Sequence, residues 1–218
     1  MKYILLGLFS FIICSLQAQT QEENNQLWKQ VYQHYLNQDL HLDIKIKRTE
    51  EKENKITLLD SSSIFFLKKG SNTLYRSQEQ DILTTAQYYV WVSKTDSIVS
   101  LRDKNNEQIQ STILQLEKLD SVLQISPLQT YKKDNYIIFT LGREQYKTQI
   151  HVHQSEKLIH KIVYTYQSGA SKIHTEVSYE NGLPSSSSFN FDIENYVIKK
   201  RKGWKLNESY KNYTLVVE

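Results

Sequence analysis

Between Ile64 and Asp103 the chain alternates short β-branched and aromatic runs with polar turns, and no other stretch limits the possible folds so strongly. Ile64-Phe65-Phe66-Leu67 leads into Lys68-Lys69-Gly70-Ser71-Asn72, a glycine-containing turn, and the chain returns as Thr73-Leu74-Tyr75-Arg76-Ser77. Tyr88-Tyr89-Val90-Trp91-Val92 then passes through Lys94-Thr95-Asp96-Ser97 into Ile98-Val99-Ser100-Leu101. Strand-forming runs at this spacing predict an antiparallel meander. Such a sheet needs a cover on its apolar side.

The flanking sequence supplies both cover and further strands. Leu27, Val31 and Tyr35 recur every four residues, with Trp28, Tyr32 and Leu36 beside them, which predicts a helix over residues 22–37. From Asp39 to Lys47 the pattern alternates strictly, placing Leu40, Leu42, Ile44 and Ile46 on one strand face and polar groups on the other. Residues 55–59 form its partner strand. A stripe of Ile113, Leu116, Leu119 and Leu123 predicts a second helix over residues 111–123, ended by Pro127. Strands follow at 136–141, 148–153, 158–166 and 173–179, then at 189–193 and 196–198, with a hairpin-like tail from Gly203-Trp204 to Val217. About ten or eleven strands and two helices define an α+β domain: a large curved antiparallel sheet, a half-barrel, covered on its concave face by helices.

The first eighteen residues carry one lysine, an apolar run from Ile4 to Cys14 and a small residue at Ala18. That run is too short to span a bilayer, so residues 1–18 are expected to be a secretory signal peptide and residues 19–218 a single exported domain. Lipid attachment at Cys14 is disfavoured because Phe11-Ile12-Ile13 precedes it. Cleavage removes the only cysteine, and a cysteine-free chain suits a bacterial periplasm. The sequons at Asn207 and Asn212 are short patterns that arise by chance. The net charge of +3, or +2 without Lys2, is too small to imply a nucleic-acid partner. Fifteen tyrosines suit half-buried sheet faces and groove rims, each with an apolar body and a polar tip.

Catalytic motifs are missing from the sequence. There is no Gly-x-Ser-x-Gly elbow, His-Glu-x-x-His helix or glycine-rich phosphate loop, so a non-enzymatic role without cofactor or metal is expected. His151 and His153, two apart on a strand, share a face, but no third ligand is suggested by spacing, and exposed-face histidines explain them more simply. Lys199-Lys200-Arg201-Lys202 is best explained as a solvated hairpin turn, with a peripheral membrane contact as the second reading.

The element order and the residues 64–103 resemble the LolA family of periplasmic outer-membrane lipoprotein carriers. Phe66-Leu67-Lys68-Lys69-Gly70, the aromatic-basic pair Tyr75-Arg76, the apolar pair Ile82-Leu83 and Val90-Trp91-Val92 carry the likeness. The resemblance implies a single half-barrel domain that shelters lipid or lipoprotein acyl chains in an apolar groove between sheet and helices. Its groove residues would be Phe66, Leu74, Val90 and Trp91 on the sheet and Ile113, Leu116 and Leu119 on the covering helix, with Lys69 or Lys68 as the basic lid contact. The alternative is an envelope interaction or sensor module on the same fold with its concavity filled. A monomer is expected in either case.

Overall fold

The computed structural model describes residues 23, 26–34, 37–104, 129–143, 145–181 and 191–218. Its largest feature is an open sheet of twelve strands, in the spatial order β14-β6-β5-β4-β3-β2-β1-β11-β10-β9-β8-β7. The strands are β1 (Leu40–Lys52), β2 (Lys55–Lys69), β3 (Asn72–Arg76), β4 (Gln80–Thr84), β5 (Tyr88–Ser93), β6 (Ile98–Asp103), β7 (Gln129–Lys133), β8 (Tyr136–Arg143), β9 (Tyr146–His153), β10 (Ile159–Ser168), β11 (Ser171–Asn181) and β14 (Thr214–Val217). A separate hairpin joins β12 (Val197–Lys200) to β13 (Gly203–Leu206). Among the described residues one helix, α1 (residues 26–34), accompanies the sheet. The expected helix over residues 111–123, with Ile113, Leu116 and Leu119, lies outside the described residues.

Several elements depart from the expectation in instructive ways. Residues 55–59 and 64–67 belong to one continuous strand, because the long β1 offers a ladder through Asp60-Ser61-Ser62-Ser63 and a bulge at Leu59 absorbs the break in alternation. Strand β4 was not expected: only Ile82 and Leu83 are apolar, yet it is paired on both sides. Among the described residues, strand β7 is a polar edge strand with one neighbour. No strand forms at Phe191–Ile193; a 3-10 turn over Ile193–Asn195 stands there, capped by the Asp192 carboxylate accepting from the Glu194 N–H. The tail forms a hairpin only at Gly203-Trp204, and its last strand does not join it. β14 lies parallel to β6, Leu215 beside Val99. The basic run, however, does form the β12–β13 hairpin turn, with Arg201 and Lys202 exposed.

Register determines where the core lies, since directly opposed residues share a face and neighbours in sequence do not. Leu42 opposes Phe66, Ile44 opposes Tyr179, and the row continues through Val177, Ile162, Ile150 and Phe139 from strand to strand. The helix α1 packs on this face: Leu27, Trp28 and Val31 join Leu42, Phe66, Phe139 and Ile150 in one buried cluster, with Trp28 edge-on to Phe139 at 6.0 Å. In β2 the next residue, Leu67, points the other way and opposes Leu74, which opposes Leu83, then Val90, then Leu101. These side chains form a second buried cluster with Tyr196 and Val197 of the carboxy-terminal segment. The sheet is thus covered on one face at its β1/β7–β11 end and on the opposite face at its β3–β6 end.

Candidate functional site

The face that carries α1 continues across β3–β6, and there it is lined by a single aromatic-apolar row. Phe66, Tyr75, Ile82, Trp91 and Ser100 oppose one another from β2 to β6. Phe66 is buried at the α1 end, whereas Tyr75, Ile82 and Trp91 are only half-buried. Polar groups flank the row on both sides: Lys68, Thr73, Thr84, Tyr89 and Arg102 along one edge, Gln80 and Ser93 along the other. The Trp91 indole N–H donates to the Gln80 Oε1 at 2.9 Å, which fixes the ring and leaves its body on the face. Burial raises the Tyr89 hydroxyl above its usual range, partly opposed by Arg102. An apolar stripe one side chain wide between polar margins fits an extended hydrocarbon chain better than it fits a polar substrate.

The groove residues named from the sequence divide between the two faces. Phe66 and Trp91 lie on the α1 face. Leu74 and Val90 lie on the opposite one, each almost wholly buried beneath the carboxy-terminal segment. Ile113, Leu116 and Leu119 lie outside the described residues. Tyr75 and Ile82 were not singled out as groove residues, though alternation from Trp91 through the β4 pairing would have placed them.

Of the two lysines considered as a lid contact, Lys69 is exposed and points to the opposite face. Lys68 points to the α1 face. Its ammonium donates to the Gln38 carbonyl at 3.2 Å, just past α1, where the Gln38 N–H itself closes on His34. Burial lowers the Lys68 pKa while Asp39 pulls it back up. Asp39 in turn accepts the Gly70 N–H at 2.9 Å, so the β2–β3 turn grips the α1–β1 junction from both ends.

On the opposite face, Asp81 is buried between two cations. Lys94 Nζ lies 2.7 Å from one carboxylate oxygen and Arg76 Nε 3.5 Å from the other. Arg76 also donates to the Tyr196 hydroxyl at 3.4 Å, and Tyr196 stacks on Tyr210, which meets Tyr213 edge-on. Burial pushes the Tyr196 and Tyr210 hydroxyls up. These contacts pin the carboxy-terminal segment to β3–β5.

At the other end, that same face is polar. It carries Lys45–Glu180, Lys161–Glu176 and His174–Glu51 pairs, together with His151 and His153. Burial, with Lys161 and His160 adding to it, lowers His151 to about 4. His153 meets Ser155 Oγ at 3.2 Å and the Tyr136 ring at 5.3 Å. No group of three His, Cys, Asp or Glu side chains suited to a metal ion occurs among the described residues.

Neither a scan against protein-family models nor a search of curated proteins finds a match. Solved structures do show likeness. A LolA superfamily protein from Nitrosomonas europaea is 13% identical, with a TM-score of 0.30 over 74% of this chain and 94% of that one. An outer membrane lipoprotein-sorting protein domain from Vibrio parahaemolyticus is 9% identical, with a TM-score of 0.33 over 79% and 97%. MucB of Pseudomonas aeruginosa, solved in complex with MucA, is 8% identical, with a TM-score of 0.31 over 75% of this chain and 59% of its own. Two of these structural neighbours are thus a LolA superfamily protein and a lipoprotein-sorting protein domain, each at low sequence identity.

Proposed function

We propose that the protein is an exported, periplasmic carrier that shelters the acyl chain of a lipid or lipoprotein. The chain lies along the Phe66–Tyr75–Ile82–Trp91 row, between the sheet and the helical cover expected from residues 111–123. One observation carries this reading: on the β3–β6 half, the carboxy-terminal segment packs on one face, while the other presents a half-buried aromatic row. Each methylene moved from water onto such a row contributes about 0.8 kcal/mol, so a chain of ordinary length is held without any covalent or polar anchor. The sheet is curved into a half-barrel in this proposal, residues 1–18 direct export, and the reaction chemistry of the protein is nil.

Tryptophan fluorescence separates the two faces. The chain has three tryptophans: Trp28 on α1, Trp91 on the row and Trp204 on the opposite side with Tyr88. In Trp28→Phe/Trp204→Phe protein, a bromine-labelled C18 fatty acid quenches the remaining Trp91 emission in a saturable manner. In Trp28→Phe/Trp91→Phe protein the same probe leaves Trp204 emission unchanged. Equal quenching of both, or none at Trp91, rejects the row as the binding site.

A further inference from the structure

Among the described residues, the first ten residues of β2 have a neighbour on one side only. Strand β1 pairs with Lys55 onwards, but β3 reaches no further along β2 than Phe65. Residues 52–63 are all exposed, and Ile56 and Leu58 show 69% and 55% of their surface to solvent, high values for large aliphatic side chains. An open ladder with apolar side chains is a template for another strand.

The phase of that ladder follows from the turn. Glu53 (φ 51°) and Asn54 (φ 63°) form a two-residue turn that closes the Lys52–Lys55 pair. Lys55 and Thr57 therefore direct their N–H and C=O groups toward β1, and Ile56 and Leu58 direct theirs to the open side. Ile56 and Leu58 also share a face, opposing Glu51 and Thr49 respectively.

We infer that β2 pairs with β2 of a second copy of the chain, antiparallel and centred on Thr57. In that register Ile56 of each copy exchanges backbone hydrogen bonds with Leu58 of the other, and their side chains meet on one face. No other register of this segment with itself satisfies both conditions at these two residues. The charges agree with it. Lys55 lies on the face of Thr57, and the bulge at Leu59 returns Asp60, which opposes Arg48, to that same face. Lys55 of one copy then comes within reach of Asp60 of the other, twice across the two-fold axis, whereas Asp60 holds Arg48 of its own chain only loosely at 3.8 Å. The bulge also breaks the regular phase of the open ladder after Leu58, so the interface is short. A contact below about 1,200 Å² suits a reversible dimer with a dissociation constant on the order of 10 μM.

Sedimentation equilibrium of the purified protein from 1 to 100 μM, roughly a decade either side of that constant, tests the pairing. The weight-average mass is expected to rise from one chain toward two. Leu58→Pro removes an outward N–H but no bond to β1, and Ile56→Lys sets like charges across the axis; each shifts the midpoint at least tenfold upward while far-ultraviolet circular dichroism stays unchanged. Lys55→Asp weakens association, and adding Asp60→Lys restores it. A protein that remains monomeric at 100 μM overturns the inference and leaves the edge to a strand of a different chain. A dimer indifferent to Leu58→Pro and Ile56→Lys, in variants that fold, overturns it equally.

Discussion

The two halves of the sheet are built from similar strands and solve burial in opposite ways. At the β1/β7–β11 end the apolar face carries α1 and the reverse face is a charged lattice of pairs such as Lys45–Glu180 and Lys161–Glu176. At the β3–β6 end the reverse face is the packed one, locked under Tyr196, Val197 and Trp204, and the α1 face keeps a half-buried aromatic row. One strand, β2, serves both cores, with Phe66 in the first and Phe65 and Leu67 packed against the second. The difference shows how one sheet can build two cores on opposite faces. The stabilising contacts of that half are simply moved to the back of the sheet.

The sharpest way to break this comparison is a pair of adjacent substitutions in β5. Val90→Glu buries an unpaired carboxylate among Leu74, Leu83 and Leu101 and is expected to leave the protein unfolded, a loss of several kcal/mol. Trp91→Glu, one residue on, places the same group on a half-buried position; the protein should fold and lose saturable binding of the C18 fatty acid. Circular dichroism and probe titration check both. If Val90→Glu folds or Trp91→Glu does not, the assignment of faces is wrong.

Next in size are truncations within each core. Phe139→Ala, wholly buried under Trp28, should cost about 3–5 kcal/mol, and Leu83→Ala in the other cluster about 2–5 kcal/mol, read by urea denaturation. The two clusters lie on opposite faces, so the double variant should show the sum of the single effects within about 0.5 kcal/mol. A coupling well beyond that would mean the cores communicate through β2 and are not two independent solutions.

Electrostatics sharpens the contrast at smaller scale. Asp81→Asn removes a buried carboxylate that lies between Arg76 and Lys94, and should cost about 2 kcal/mol, reduced from the fully buried case because both cations are about a third exposed. Glu180→Gln, opposite Lys45 on the wet face, should cost less than about 0.5 kcal/mol, since both partners are more than half exposed. Equal effects would contradict the distinction between a covered and a solvated reverse face.

How much of this was legible in the sequence depended on whether alternation was visible. The strict pattern from Leu40 to Ile46 assigned its own face correctly, because every second residue is polar. In Tyr88-Tyr89-Val90-Trp91-Val92 both faces are apolar, so Val90 and Trp91 were grouped as groove residues although neighbours on a strand cannot share a face. Leu74 was likewise chosen although its neighbour Tyr75 is the residue on the α1 face. Asp81 hid β4, since a charge in a five-residue run argues against a buried strand until Arg76 and Lys94 are seen to neutralise it. The parallel pairing of β14 with β6 was beyond any local pattern: it is set by the Tyr196–Tyr210–Tyr213 stack that carries the tail around. The open segment of β2 was hidden for a related reason, as its exposure depends on where β3 ends rather than on its own residues.

The smallest expected effect concerns pH and belongs to the wet face alone. His151 is lowered to about 4 from an ordinary 6.5, by burial first and then by Lys161, His160 and Lys133, with Glu176 opposing them. Its neutral form is therefore favoured by folding. Above pH 6.5 the residue is neutral in both states and has no effect on stability; between 6.5 and 4 the unfolded chain takes up a proton that the folded one refuses, and stability falls; below about 4 both states are charged and the loss stops growing. Thermal unfolding followed from pH 7.5 to 4.5 should show the melting temperature of His151→Gln declining less than that of the wild type, with the two curves diverging only below 6.5. Glu176 is a separate influence, because Lys161 holds its carboxyl below the usual range against the effect of burial, so its own titration falls toward the lower end of the scan or beneath it. If the melting curves of wild type and variant run parallel across the window, the polar face tolerates a charge at His151, and its chemistry is no different from that of any exposed strand.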